Sequence, residues 1–328
     1  MGRVMWNLVA DVGGTNMRLA AVSPAGAIID QQSVPSKGGP DFPQACADFI
    51  AGHPTPPSHV AVAAAGVVVD GAVRLTNSKQ RFDVAALARA CQTGSVKILN
   101  DFEAAAWSLA TVTASDIQVL QGTGRLSQGP RLIIGPGTGL GVGAVDWVNG
   151  APHVIPGEGG HVSLAPQSAE ELAYFEALID LWPEVQIGQG LAVEAEAILS
   201  GTGLPVFYNA IATTKGLPQR TKKTTEVIAR AQTGDDACAT RALQLFRQYL
   251  GQIAGDLALV LNATGGVFVT GGVIHKNPWL LDQQFLSAFN AGGRHSTWRA
   301  RIPVYLYENP DFGLLGASNH IITCQDNS

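Results

Sequence analysis

Apolar and polar residues fall along the chain in short runs that predict strands separated by tight turns. Residues 8–10 are apolar, the run ends at Asp11, and after a Gly-Gly pair a second apolar run extends over residues 17–22. Two apolar runs joined by a short glycine-rich turn are typical of a β-hairpin rather than of a strand entering a helix. The pattern recurs in residues 131–147, around a Gly-Thr-Gly turn at residues 137–139. We therefore expect two hairpins, far enough apart for each to open its own domain.

The rest of the pattern interleaves strands with helices. Residues 60–69 predict a strand and a turn, and Asp70-Gly71 is a hairpin signal before the next apolar run. Helical patterns occupy residues 84–91, residues 104–110 and much of residues 224–261. The fold class that follows is α/β.

The first glycine turn has the chemistry of a phosphate site. Gly13 and Gly14 carry no Cβ, so backbone N–H groups there can approach phosphate oxygens closely. Thr15 and Asn16 add hydroxyl and amide donors, and Asp11 is a carboxylate suited to a hydrated Mg²⁺. The segment has neither the P-loop ending nor a GxGxxG that opens a helix. By itself it is equally compatible with an ordinary hairpin turn.

A third glycine pair extends the pattern. Gly271-Gly272 follows the apolar run of residues 267–270. A duplicated strand–turn–strand unit with a third glycine-rich loop is the layout of the actin-like ATPase fold. In that fold two domains each supply a phosphate hairpin.

Length and composition narrow the function classes. A chain of 328 residues fits two domains, and its 14% charged residues, against a typical share of about 25%, indicate a compact globular protein. The net charge of −5 gives no electrostatic reason to expect a nucleic-acid partner. The first ten residues hold too short an apolar run for a signal peptide or a transmembrane helix. We expect a cytoplasmic protein with no membrane partner.

The four cysteines, Cys46, Cys91, Cys238 and Cys324, form no CxxC pair and no Cys/His cluster at zinc spacing. We expect them to be reduced and mostly buried.

Asn100-Asp101 is the first of three polar segments that apolar periodicity does not explain. It follows the apolar run of residues 96–99, at the strand end where α/β sheets carry ligands. This position predicts a base, although either residue could simply cap the helix that follows.

The other two polar segments are rich in glutamate. Glu158 and His161 are separated by two glycines, so that both side chains can converge on one small ligand. Glu194 and Glu196 precede a Ser-Gly turn, and the simple alternative is two glutamates on a surface helix.

Taken together, these motifs resemble those of the bacterial glucokinases of the hexokinase/actin superfamily, in the group outside the ROK family. The match covers nearly the whole chain. It rests on the segments DVGGTN (residues 11–16), TN (76–77), NDF (100–102), GPGTGLG (135–141), PGEGGH (156–161), LSG (199–201), GGVFVTGG (265–272), IPVY (302–305) and GLLG (313–316). ROK sugar kinases share the fold but carry a zinc-binding cysteine cluster.

The resemblance implies ATP-dependent phosphorylation of glucose at its 6-hydroxyl, the first step of glycolysis. Asp101 would be the general base. The sugar-binding residues would be Asn77, Asn100, Asp101, Glu158, His161 and Glu196, with Glu194 an alternative to Glu196. The nucleotide site would comprise Ala10, Asp11, Val12, Gly13, Gly14, Thr15, Asn16, Gly137, Thr138 and Gly139 around the phosphates, and Gly271 and Gly272 beside the adenosine. Asp11 would hold Mg²⁺ through water.

The resemblance also implies a two-domain, ribonuclease H-like architecture. Residues 1–111 and 308–328 would form a small α/β domain, and residues 112–307 a large one. The partners would be ATP, glucose and a second copy of the chain in a homodimer.

One departure from the family pattern concerns sugar choice. Residues 78–81 read Ser-Lys-Gln-Arg where the family usually has His or Asn and then Trp. We expect a smaller margin between hexoses, and tighter glucose binding on Gln80→Trp. Alternatives that remain are a kinase for another hexose, a sugar-binding regulator without turnover, and an ATPase chaperone or filament former.

Overall fold

The computed structural model describes residues 5–75 and 80–326, and the described residues form two compact units. The first unit draws on Met1–Val112, Ala144–Pro156 and Asn309–Ser328, and the second on Thr113–Gly143 and Gly157–Glu308. Residues 144–156, assigned above to the large domain, thus group with the first unit. Asn77 lies outside the described residues.

The elements of the first half of the chain build a five-stranded sheet in the order β3-β2-β1-β4-β8 and a separate three-stranded sheet, β5-β6-β7. In chain order they are β1 (Asn7–Val12), β2 (Asn16–Val22), β3 (Ile28–Pro35), α1 (Phe42–Ala51), β4 (Val60–Ala64), β5 (Gly66–Val69), β6 (Ala72–Leu75), β7 (Arg81–Asp83), α2 (Val84–Cys91), β8 (Val96–Asn100) and α3 (Asp101–Ser108).

The rest of the chain builds a six-stranded sheet in the order β12-β11-β10-β15-β16-β9 and a small two-stranded sheet, β13-β14. The elements are β9 (Ile117–Gln121), β10 (Arg131–Pro136), β11 (Leu140–Val148), β12 (Ala151–Ile155), β13 (Ser163–Leu164), α4 (Ala169–Leu181), β14 (Val193–Glu194), α5 (Gly203–Thr214), α6 (Thr224–Thr233), α7 (Ala237–Val260), β15 (Gly266–Val269), α8 (Gly272–Lys276), α9 (Gln283–Asn290), α10 (Ser296–Arg299), β16 (Val304–Tyr307) and α11 (Phe312–Asp326).

Five strands of each large sheet follow the same order, which confirms the predicted duplication. Each has a run of three sequential strands (β3-β2-β1 and β12-β11-β10) followed by two further strands, β4-β8 in one and β15-β16 in the other. The added strands pair in parallel, β1 with β4 and β4 with β8, and β10 with β15 and β15 with β16. Parallel neighbours need crossover connections, and helices α1 and α7 belong to these connections.

Most of the predicted elements are present. Asp70 and Gly71 have φ of +50° and +72° and join β5 to β6, as a two-residue hairpin requires. The predicted helices appear as α2, α3 and the pair α6 and α7. Gly234, with φ of +76°, caps α6 and separates that pair.

The C-terminal helix α11 packs against α3 within the first unit. A Cβ at Gly316 would overlap the backbone carbonyl of Ala104, so only glycine allows α11 to approach α3 this closely. Asn319 Nδ2 then donates to Trp107 O at 3.0 Å and to Thr111 Oγ1 at 2.8 Å. These contacts fix α3, which begins at Asp101.

In the described part of the chain, no helix is both long enough and apolar enough to cross a membrane.

Candidate active site

The first hairpin has its predicted form. Antiparallel pairing of β1 and β2 ends at Val12 opposite Met17, and the Gly13 N–H donates to Asn16 O at 3.0 Å. Ser36, which precedes α1 and is buried, holds this turn: its Oγ donates to Gly13 O at 2.7 Å and its N–H to Thr15 O at 2.8 Å. Thr15 and Asn16 are exposed at the tip. The turn is therefore supported by a loop that sequence reasoning did not connect to it.

Asp11 lies opposite Arg18 in the hairpin and forms an ion pair with it. The other end of the Arg18 guanidinium donates to Asp311 Oδ1 at 2.6 Å and to Pro310 O at 2.9 Å. A Cβ at Gly313 would lie 2.7 Å from Asp11 Cγ, so the start of α11 closes over this carboxylate. Asp11 is thus a fixed, half-buried carboxylate at the entrance to the turn. Mg²⁺ in kinases is commonly held by one or two carboxylates together with substrate phosphates, and Asp11 fits that use.

Asn100 and Asp101 lie where β8 ends and α3 begins. Asn100 caps α3: its Oδ1 accepts the Phe102 N–H at 2.8 Å, and the Glu103 carboxylate accepts the Asn100 N–H at 3.4 Å. Asn100 Nδ2 also donates to Gly66 O at 3.1 Å, which leaves one amide N–H beyond these bonds. Asp101 is the first residue of the helix and half-buried. Asp101 Oδ1 accepts the same Phe102 N–H at 3.0 Å. The capping alternative therefore holds for Asn100, and Asp101 shares that N–H at the helix N-terminus, where a negative charge is stabilised.

Gln80 connects the segment after β6 to the loop before α1. Its Oε1 accepts the Phe42 N–H at 3.0 Å, and its Nε2 donates to Ser36 O at 3.2 Å and to Pro40 O at 3.4 Å. Since Ser36 also holds the first turn, Gln80 belongs to the support of the first hairpin. A Trp at position 80 would therefore replace a side chain that already forms three hydrogen bonds.

The second hairpin is supported by the Leu-Ser-Gly segment. Gly201 N–H donates to Gly137 O at 2.8 Å, and Thr202 donates to Thr138 O through both N–H and Oγ1, at 3.2 and 2.9 Å. A Cβ at Gly201 would lie 2.9 Å from Gly137 O, which explains the glycine there. Thr138, like Thr15 in the first hairpin, is exposed at the tip. Thr202 is a residue that sequence reasoning missed.

Glu196 contacts this same hairpin. Its Oε2 accepts the Leu140 N–H at 2.8 Å, and a Cβ at Gly139 would overlap that oxygen. The segment around it is a short 3-10 turn, Ala195–Ala197, after the two-residue strand β14. The surface-helix alternative for the two glutamates is therefore wrong.

The Glu158–His161 segment packs on the start of β11. A Cβ at Gly160 would overlap Leu140 O, and one at Gly159 would lie 2.8 Å from the Val142 side chain. Only glycines let the backbone lie this close, and the result is that Glu158 and His161 are both exposed. His161 Nδ1 lies 2.9 Å from Glu194 Oε2.

The third glycine pair lies against β10, the first strand of the second hairpin. Gly271 has φ of +98°, and a Cβ there would lie 2.5 Å from Pro136 O. His275, one turn further on in α8, places Nε2 2.8 Å from Tyr307 O and 3.1 Å from Thr270 Oγ1. The pair thus lies against residues 135–136, just before the Gly-Thr-Gly turn of the second hairpin.

Two glycine hairpins on sheets of one strand order define the actin-like ATPase fold. Within that class, the motifs described under Sequence analysis resemble those of sugar kinases.

Comparison with known proteins identifies the family. The glucokinase family model matches residues 8–323. The glucokinase of Chromohalobacter salexigens is 37% identical over 322 residues, 94% of this chain and 95% of that protein. A crystal structure of glucokinase from an Antarctic psychrotroph superposes with a TM-score of 0.83 at 28% identity, covering 99% of this chain and 100% of that one. A ROK hexokinase from Thermus thermophilus, at 21% identity, shares the fold with a TM-score of 0.68 over 99% of this chain and 100% of that one.

The chain belongs to the glucokinase family. Its activity is the ATP-dependent phosphorylation of glucose.

Proposed function

We propose that Asp101 is the general base of this reaction and that the 6-hydroxyl of glucose is the group phosphorylated. The observation that supports this assignment is the position of Asp101, whose half-buried side chain lies where β8 ends and α3 begins. Asn100 supplies the helix cap, and Asp101 Oδ1 shares the Phe102 N–H with it at 3.0 Å. Asp101 accepts the hydroxyl proton as the sugar oxygen attacks the γ-phosphorus of ATP and ADP leaves. Phosphoryl transfer depends mainly on positioning and charge stabilisation, so one placed carboxylate suffices on the sugar side.

The remaining sugar ligands are Asn77, Asn100, Glu158, His161 and Glu196. A polyol requires donors and acceptors matched to several hydroxyls, because each buried polar group left unpaired costs about 1–3 kcal/mol. The exposed side chains of Glu158 and His161 and the remaining amide N–H of Asn100 suit that requirement.

The phosphates of ATP lie at the turns of residues 13–15 and 137–139, and the adenosine borders Gly271 and Gly272. Support comes from the exposed threonine at each tip and from the neighbours that leave no room for a Cβ at Gly139 or Gly271. Asp11 holds Mg²⁺ through water, and the ion, when bound, neutralises charge on the phosphates.

Three further proposals follow from the family resemblance. The chain belongs to the group outside the ROK family, supported by the wide spacing of its four cysteines. It acts in the cytoplasm and as a homodimer.

The test is a coupled assay that follows ADP release with glucose, mannose, fructose and no sugar, together with glucose-6-phosphate dehydrogenase to identify the product. We expect turnover with glucose that requires both ATP and Mg²⁺ and yields a substrate for that dehydrogenase. Faster turnover with another hexose would indicate a different sugar kinase. Glucose binding without ADP release would indicate a regulator, and equal ADP release without sugar would indicate an ATPase.

A further inference from the structure

Glu194 and His161 form a pair that the main chain itself arranges. Ser163 pairs with Glu194 across the antiparallel strands β13 and β14, and the Ala195 N–H donates to Val162 O at 2.9 Å. Side chains alternate along a strand, and Val193 is fully buried, so Glu194 points to the opposite face. There its Oε2 lies 2.9 Å from His161 Nδ1.

The pair is accessible to a ligand. The His161 side chain is 46% exposed and that of Glu194 is 32% exposed. Both therefore remain in contact with solvent, and a ligand can reach the imidazole ring without displacing the strand pair.

The neighbouring charges favour the protonated ring. Glu194 raises the pKa of His161 through its hydrogen bond, partial burial opposes that change, and the carboxylates of Glu196 and Glu158 add smaller upward effects. A carboxylate that binds Nδ1 also selects the neutral tautomer that carries its proton there.

We propose that Glu194 is a positioning residue for His161: it accepts the Nδ1 proton and so leaves Nε2 as the ring atom that meets a sugar hydroxyl. This inference rests on the proposed role of His161 in hexose binding. It gives the two glutamates different tasks, since Glu196 binds the Leu140 N–H of the second hairpin and Glu194 binds the histidine.

Carboxylate–histidine pairs of this kind fix both the orientation and the tautomer of the ring. Neutral His161 accepts a hydroxyl proton at Nε2, and protonated His161 donates from the same atom. In both states the ring direction is set by Glu194, so the hydroxyl it meets occupies one place.

The test combines two variants with a matched control. Glu194→Ala removes the acceptor, Glu194→Gln keeps an acceptor oxygen without charge, and Glu176→Ala removes a carboxylate from the exposed face of α4. Ring ¹⁵N NMR of histidine-labelled protein reports tautomer and titration. The chain has seven histidines, so the signal missing in His161→Gln identifies His161 and the other six serve as internal controls.

In the wild type we expect neutral His161 to carry its proton on Nδ1. In Glu194→Ala we expect that proton to move to Nε2, the His161 pKa to fall and the glucose KM to rise about three- to tenfold, the effect of one hydrogen bond, with kcat within about twofold. Glu194→Gln should lower the pKa with a smaller change in KM. Glu176→Ala should leave all of these as in the wild type.

An unchanged tautomer and titration in Glu194→Ala would show that no such pair acts on the ring. A changed ring with unaltered glucose KM would show that the pair has no part in sugar binding. If the wild type lacks glucose turnover, the proposed function fails, while the NMR result still decides whether Glu194 sets the His161 tautomer.

Discussion

Arg18 forms an ion pair with Asp11, the residue directly opposite it across the first hairpin. The same guanidinium binds Asp311 at the start of α11, so the predicted magnesium ligand and the C-terminal helix share one cation. The direction of the Asp11 side chain is therefore fixed by three neighbours: the Arg18 guanidinium, the strand β1 that carries Asp11, and the backbone at Gly313.

We predict that Asp11→Asn raises the Mg²⁺ concentration for half-maximal rate by roughly 10–100-fold. Gly313→Ala should act in the same direction while retaining the carboxylate, since its Cβ would lie 2.7 Å from Asp11 Cγ. The measurement is initial rate against free Mg²⁺ at fixed ATP. Asp311→Asn, which removes a more exposed partner of Arg18, is the control and should have the smallest effect. Equal Mg²⁺ dependence in all three variants would contradict the role given to Asp11.

Glu196 stabilises the second hairpin by accepting the Leu140 N–H, so its loss should weaken ATP binding. Glu196→Ala leaves the Leu140 N–H without its acceptor, and we expect the KM for ATP to rise about tenfold alongside that for glucose. Glu196→Gln retains an acceptor and should have the milder effect on ATP. Glu184→Ala, at an exposed site, is the control. A change confined to glucose would show that the hairpin does not depend on Glu196.

The contacts of Gln80 lead to a prediction opposite to the one drawn from the family pattern. Both Gln80→Ala and Gln80→Trp remove three hydrogen bonds to residues 36–42, so we expect each to lower the free energy of unfolding by about 1–3 kcal/mol and to weaken glucose binding. Chemical denaturation and calorimetry measure the two effects, with exposed Gln31→Ala as control. Tighter glucose binding by Gln80→Trp would restore the original expectation.

How far the sequence predicts this molecule depends on the range of the interactions. The hairpins, the Asp70-Gly71 turn and helix α2 follow from local pattern, because turn residues and apolar periodicity act within a few positions. The two glycines between Glu158 and His161 single these residues out in the sequence, and their part in sugar binding stays a prediction.

The residues that hold the turns of the two hairpins could not be predicted from local pattern. Ser36 and Thr202 contact the turns from 23 and 64 residues away in sequence, to Gly13 and Thr138. A serine in a loop and a threonine before a helix are ordinary at those places, and only the folded chain brings them to the hairpins. The Glu194–His161 pair likewise depends on the two-residue strands β13 and β14, too short to give a sequence pattern.

The titration of His320, on α11, should make the free energy of unfolding depend on pH. Burial, with a smaller effect of Lys97, lowers its pKa to about 4 from 6.5, and its ring packs edge-on against Trp107 with centroids 5.2 Å apart. The unfolded chain therefore binds a proton that the folded chain does not. The contribution of neutral His320 to the free energy of unfolding is fully present above pH 6.5. It is lost as the pH falls towards 4, by up to about 3 kcal/mol.

Replacing His320 by a residue that does not titrate should make the free energy of unfolding depend less on pH. We expect His320→Phe to lose less stability than the wild type between pH 6.5 and 4, measured by urea unfolding at each pH. Exposed His295→Gln should follow the wild-type profile. Parallel profiles for His320→Phe and the wild type would mean that His320 is protonated in the folded state.

The central assignment is that of Asp101, and Asp101→Asn tests it most directly when turnover and glucose binding are measured on the same preparation. Asparagine can still hydrogen-bond the hydroxyl but cannot accept its proton. We predict that kcat falls by roughly 10²–10⁴ while calorimetry shows glucose affinity changed far less. Loss of glucose binding with normal turnover per bound complex would contradict the account, because Asp101 would then hold the sugar without acting as its base.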